Sequence, residues 1–113
     1  MKVAIIGSRT FDSYSLLEET LNKYLTQVTK VVSGGAKGAD QLGEQWANNN
    51  NIDTQIFKPD WSKYGRAAGI RRNEDIIVNS DMVIAFWDGK SKGTSSSITL
   101  ARKHNKRIHV VKI

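Results

Sequence analysis

Four short stretches of this chain gather the residue types that suit an anion: glycine for close backbone approach, hydroxyls and arginine for donation, lysine for charge. They are Gly7-Ser8-Arg9-Thr10, Ser33-Gly34-Gly35-Ala36-Lys37-Gly38-Ala39-Asp40, Lys58 through Asn73, and Trp87 through Ser97. The chemistry they suggest is recognition of a phosphate. None of them completes a standard nucleotide fingerprint. The first lacks the G-x-G-x-x-G of dinucleotide folds, and the second does not match the G-x-x-x-x-G-K-[ST] of a P-loop.

Each stretch has a second, purely architectural reading. In the first, Ser8 and Arg9 can donate to an anion, or Ser8 can cap a turn around Gly7 while Arg9 meets solvent. In the second, Gly34 and Gly35 let backbone amides approach a ligand beside a helix starting near Lys37, or they supply positive φ while Gly38 gives close packing. The third interleaves Trp61 and Tyr64 with Lys58, Lys63, Arg66, Arg71 and Arg72, a mixture that suits base stacking and phosphate pairing. Arg71 and Arg72 are neighbours on an expected helix and point apart, so at most one reaches a ligand. In the fourth, Thr94 or Ser95 either caps the helix opened by Gly93 or binds a phosphate at its start.

The elements that must position these loops follow from hydrophobic patterning. Val3–Ile6, Val31–Ser33, Thr54–Phe57, Met82–Phe86 and Ile108–Val111 are short apolar runs of the kind that form strands covered on both faces. Helical spacing links Leu17, Leu21, Tyr24, Leu25 and Val28, then Ala39, Leu42, Gly43, Trp46 and Ala47. Further helices are expected within Gly65–Asn79, marked by Ile70, Ile76 and Ile77, and over about Thr94–His104. The alternation predicts an α/β, Rossmann-like three-layer sandwich: a five-stranded parallel sheet of order 3-2-1-4-5 with helices on both faces. Ligands in such sheets bind beyond the carboxyl ends of the strands, at the switch point between strands one and four. All four stretches fall at that edge.

Composition bounds the rest. A chain of 113 residues has the length of one domain, 1–113, and 39% hydrophobic with 25% charged residues fits a folded globular protein. The absence of cysteine removes disulfides and thiolate metal sites and matches a reducing, cytoplasmic setting. No apolar run is long enough for a signal-peptide core or a membrane span, so no membrane partner is expected. The net charge of +6 agrees with a phosphate-bearing partner, but the cations form no single stripe. His104 and His109 offer neither a metal pair nor a triad, and no metal site is expected. Asp81 reads as a turn residue, and Trp46 as core.

The ordered set of motifs resembles the YspA-like (YpsA-related) branch of the SLOG superfamily, the Rossmann-like group that includes DprA and the LOG phosphoribohydrolases. Its most specific parts are Gly34-Gly35-Ala36-Lys37-Gly38-Ala39-Asp40 and Ala68-Gly69-Ile70-Arg71-Arg72-Asn73. The resemblance implies a pocket for a nucleotide or nucleotide-derived ligand such as NAD or ADP-ribose. It implies catalysis less directly. LOG enzymes use an arginine and a glutamate that follows their Gly-Thr loop, and here Gly93-Thr94 continues as Ser95-Ser96-Ser97 without a carboxylate.

The expected ligand-binding set is Gly7, Ser8, Arg9, Ser33, Gly34, Gly35, Lys37, Gly38, Asp40, Trp61, Arg72, Asn73, Gly93, Thr94 and Ser95. Arg72 and Asp88 are the candidates for any catalytic step. The leading expectation is a sensor or sequestering module that requires no cofactor and holds a bound nucleotide or derivative. The alternatives are LOG-like hydrolysis of an N-glycosidic bond and DprA-like binding of single-stranded nucleic acid. Related proteins also make a homo-oligomer an expectation, although no motif marks its face.

Overall fold

A computed structural model describes residues Met1–Ile113. Strands and helices alternate, with two helices in the connection from β3 to β4: β1 (Lys2–Gly7), α1 (Tyr14–Asn22), β2 (Lys30–Ser33), α2 (Ala39–Asn49), β3 (Asp53–Ile56), α3 (Trp61–Tyr64), α4 (Ala68–Val78), β4 (Met82–Trp87), α5 (Lys92–Lys103) and β5 (Arg107–Lys112). All strands are parallel, in the order β3-β2-β1-β4-β5. The expected topology is the observed one, and no helix is long and apolar enough to cross a membrane.

The two-residue period of the strands divides the core into two layers. Val3 and Ile5 of β1, with Ile84 and Phe86 of β4, pack on one face with Leu17, Leu21 and Trp46 from α1 and α2. Ala4, Ile6, Val83 and Ala85 face the other way and meet Ile76, Ile77, Ile98 and Ala101 from α4 and α5. The outer strands β3 and β5 are half-exposed, unlike the fully covered central three, because each lies at an edge. Trp46 is fully buried as expected, and its Nε1 donates to Asn22 Oδ1 at 3.0 Å.

Three local features depart from the sequence pattern. The first helix ends at Asn22, short of Val28, because residues 23–27 turn back to join the start of β1. The Met1 ammonium donates to Gln27 O, and Thr29 N–H donates to Met1 O. Val28 still reaches the core, whereas Leu25 is exposed. The expected loop Lys58–Arg72 contains α3, whose first turn is capped by Asp60 Oδ1 accepting from Lys63 N–H at 3.1 Å. The last helix begins two residues before Thr94 because Ser91 is its cap, its Oγ accepting from Thr94 N–H at 3.4 Å. Asp81 does serve a turn: it accepts from Lys2 N–H at 2.8 Å where β4 enters beside β1.

Helix α2 lies unusually close to the sheet at Gly43, where a Cβ would stand 2.9 Å from Ile5 Cβ and Cγ2. Ile5 is wholly buried and β-branched, so it cannot swing aside. Gly43→Ala therefore forces α2 outward and lowers stability by about 1–3 kcal/mol, read as a fall in the urea midpoint at unchanged m value.

Candidate functional site

The four loops at the carboxyl edge of the sheet enclose one cleft with two compartments, which share Arg9, Ala36, Trp61 and Arg72 as a common wall. The inner compartment, about 230 Å³, has Ile6 and Ile76 as apolar lining. Its polar lining is Asp40 and Asn73 together with Ser91, Thr94 and Ser97 around the start of α5. The outer compartment, about 610 Å³, adds Gly34, Gly35, Lys37, Lys58 and Pro59.

The glycine-rich corner after β2 is built from the protein's own oxygens. Asp40 Oδ2 accepts from the N–H groups of Gly34 and Ala36 at 3.2 and 3.3 Å. Ser33 Oγ accepts from Gly35 N–H at 3.2 Å and donates to Glu44 Oε2 at 2.7 Å. From the opposite wall Arg72 Nη1 donates to Gly34 O at 2.9 Å, while its Nε donates to Asn73 Oδ1 at 2.9 Å. A Cβ at Gly34 would stand 2.7 Å from Arg72 Nη1 and 2.9 Å from Asp40 Oδ2. Gly34 thus answers to crowding, and positive φ belongs to Gly35 (72°) and Gly38 (84°). A Cβ at Gly38 would collide with the Ser8 carbonyl, so the first two loops press together there.

Of the two readings that the sequence left open for this corner, the architectural one describes its amides, which bond the protein's own oxygens. Three of them are already occupied, and the Asp40 carboxylate stands where an external anion would lie. The physical reason is local: a carboxylate in the first turn of α2 reaches back to the amides that precede the helix.

Burial is the main influence on Asp40 and pushes its carboxyl up from an ordinary 3.8 to about 6. The Ala36 N–H, the Arg72 charge and the Gly34 N–H oppose that rise, and the Glu44 carboxylate adds to it. Asp88 behaves oppositely. Its Oδ1 accepts from the N–H groups of Ser91 and Lys90, both at 2.8 Å, and these bonds hold its carboxyl below the ordinary range. The nearby Ser8 hydroxyl also favours the charged carboxylate, yet the buried Ser8 Oγ closes no hydrogen bond of good geometry. Asp88 shapes the turn that delivers Ser91.

Of the expected site residues, Gly7, Asp40, Asn73, Gly93 and Thr94 line the inner compartment. Gly34, Gly35 and Lys37 line the outer one, and Arg9, Trp61 and Arg72 line both. Ser8, Ser33, Gly38, Ser95 and Asp88 line neither. Ser8 and Ser33 are buried behind the loops, Gly38 is a packing point, and Ser95 yields the capping position to Ser91. The structure adds Ala36, Lys58, Ser91 and Ser97. Ser97 was findable, since it lies one turn beyond Gly93-Thr94 on the same helix. Arg71 turns away from the cleft and stacks over Tyr64, 4.9 Å from the ring centre.

The sequence profile of the YspA, cpYpsA-related SLOG family matches residues 1–64. The gene 61 protein of Mycobacterium phage D29 is 31% identical over 111 residues, a match that covers 90% of this chain and 89% of that protein. The chain belongs to the YspA, cpYpsA-related SLOG family. Among solved structures it is similar to DNA processing protein A (DprA) from Streptococcus pneumoniae, with a TM-score of 0.80 at 19% identity over 96% of this chain. DprA from Helicobacter pylori, described for its single-stranded DNA binding mode, gives 0.76 at 27% identity over 97%. This SLOG chain spans 49% and 64% of those two DprA chains, respectively.

In this SLOG chain Asp40 is the one carboxylate lining the cleft. Because its folded pKa lies above the unfolded one, the folded state binds more protons between about pH 4 and 6. Asp40 therefore withdraws stability as pH rises through that window, and the full cost stands above it. Asp40→Asn keeps an oxygen for the two amides but cannot ionise. Its unfolding free energy gains on the wild type by about 2–3 kcal/mol between pH 4 and pH 7 in urea titrations. A difference constant across that range is the opposing result.

Proposed function

We propose that this chain binds a nucleotide or nucleotide-derived ligand in the cleft at the carboxyl edge of its sheet, as a sensor or sequestering module. The observation that carries the reading is the wall shared by both compartments. There Arg9 and Arg72 stand beside the indole of Trp61, which is 61% exposed despite its size. An exposed aromatic face next to two guanidinium groups suits a base stacked on the ring with a phosphate held by the cations. Arg72 is preorganised for that task, since its bonds to Gly34 O and Asn73 Oδ1 fix the guanidinium and leave three of its five N–H groups free.

Binding is favoured over bond cleavage by the lining. Asp40 is committed to two amides and faces Arg72, and the wall contributed by α5 offers hydroxyls in place of a carboxylate. A second reading is single-stranded nucleic acid. It draws on the 27% identity to the Helicobacter pylori DprA and on the cationic outer compartment.

A thermal-shift series separates the two. With nucleotides, the melting temperature climbs with ligand concentration, the stabilisation reaching about 2.7 kcal/mol at a hundred times Kd. Trp61→Ala weakens binding by about 1–3 kcal/mol, the range for loss of one stacked base. Gly34→Ala displaces the Arg72 guanidinium and crowds the buried Asp40 carboxylate, so it reduces binding and lowers stability together. A flat response across nucleotides, with oligonucleotide binding that falls steeply with salt, selects the second reading.

A further inference from the structure

The two compartments differ in charge in a way that sorts the parts of a ligand. The inner one contains Asp40, whose side chain is almost wholly buried, and the hydroxyls of Ser91, Thr94 and Ser97. A phosphate pushed against that carboxylate would meet like charge with little water to screen it. Sugar hydroxyls, in contrast, can donate to Asp40 and exchange hydrogen bonds with Ser97, which is 5% exposed and faces the compartment.

The outer compartment is the reverse. Arg9, Lys37 and Lys58 from three loops and Arg72 from α4 line it, and no carboxylate does. Its glycine amides are already bonded to Asp40 and Ser33, so side-chain cations are what it offers to a ligand. Arg9 and Arg72 stand on the boundary, and Lys37 and Lys58 lie beyond them.

We propose that the outer compartment is a second anion subsite, so that the cleft takes nucleotides carrying two linked phosphates in preference to monophosphates. This rests on the nucleotide reading above and goes on to specify the ligand class. The sugar sits inside against Asp40 and the α5 hydroxyls. The first phosphate lies on Arg9 and Arg72, and the second on Lys37 and Lys58.

Calorimetric titration of the full chain with a nucleoside diphosphate and with the monophosphate of the same nucleoside, at one fixed salt concentration, tests this. The wild type binds the diphosphate about tenfold more tightly, a difference of about 1.4 kcal/mol. In the double variant Lys37→Ala/Lys58→Ala the ratio falls to about one. Both lysines are exposed and outside the core, so ligand-free melting confirms that the variant is folded. Lys90→Ala, which removes a cation outside both compartments, leaves the ratio at its wild-type value. Equal affinities in the wild type, or an equal fall of the ratio in Lys90→Ala, overturn the subsite while leaving the nucleotide site standing. Absence of binding by either nucleotide overturns both.

Discussion

Asp40 draws the Gly34 and Ala36 amides inward while Arg72 holds the Gly34 carbonyl from the opposite wall, and the layout of the cleft depends on that clamp. It joins the end of β2 to α4 across the mouth of the sheet. The clamp also explains why position 34 carries no side chain, since a Cβ there would occupy the space of both partners. One residue cluster further on, Gly38 rests on the Ser8–Arg9 backbone and brings the first loop into the same assembly. Arg9 and Arg72 thereby come to one wall although 63 residues separate them in the chain.

A buried carboxylate is an expensive way to hold a loop. Desolvation disfavours the charged form, and the raised pKa of Asp40 measures how incompletely its partners compensate. What the fold gains is a cleft with a built-in negative charge at its inner end and only positive charge at its outer end. Backbone amides in comparable glycine corners serve ligand phosphates. In this chain they serve Asp40 and Ser33, and the positive charge of the cleft comes from the side chains of Arg9, Lys37, Lys58 and Arg72.

The α5 side of the cleft depends on a smaller device of the same kind. Asp88 accepts two amides and sets the turn, Ser91 caps the helix, and Trp87 Nε1 donates to Ser91 O at 3.1 Å. The Ser91 and Thr94 hydroxyls then lie 3.1 Å apart, presenting a neutral, hydrogen-bonding surface to the cleft. Ser97 extends that surface within Ser95-Ser96-Ser97, where the LOG resemblance would have placed a carboxylate, and Asp40 faces these hydroxyls in the same compartment.

By itself the sequence determined the layers, the strand order and the edge of the sheet at which the loops meet. Those follow from apolar periodicity and the handedness of crossovers, which are local or nearly local in the chain. It also carried the family motifs, and with them eleven of the fifteen expected ligand-binding residues that line the cleft. Only the tertiary structure decided which way the corner's amides turn, that Ser33 and Ser8 lie behind the loops, and that Lys58 and Ser97 face in. It likewise decided that α1 stops at Asn22, because Met1 and residues 27–29 meet across a sequence gap that periodicity does not register. Hydrogen bonds between residues distant in sequence settle such choices: Asp40 reaches back a few residues, but Arg72 to Gly34 spans 38. A motif names the residues at an edge, and the partners that each one finds there assign their roles.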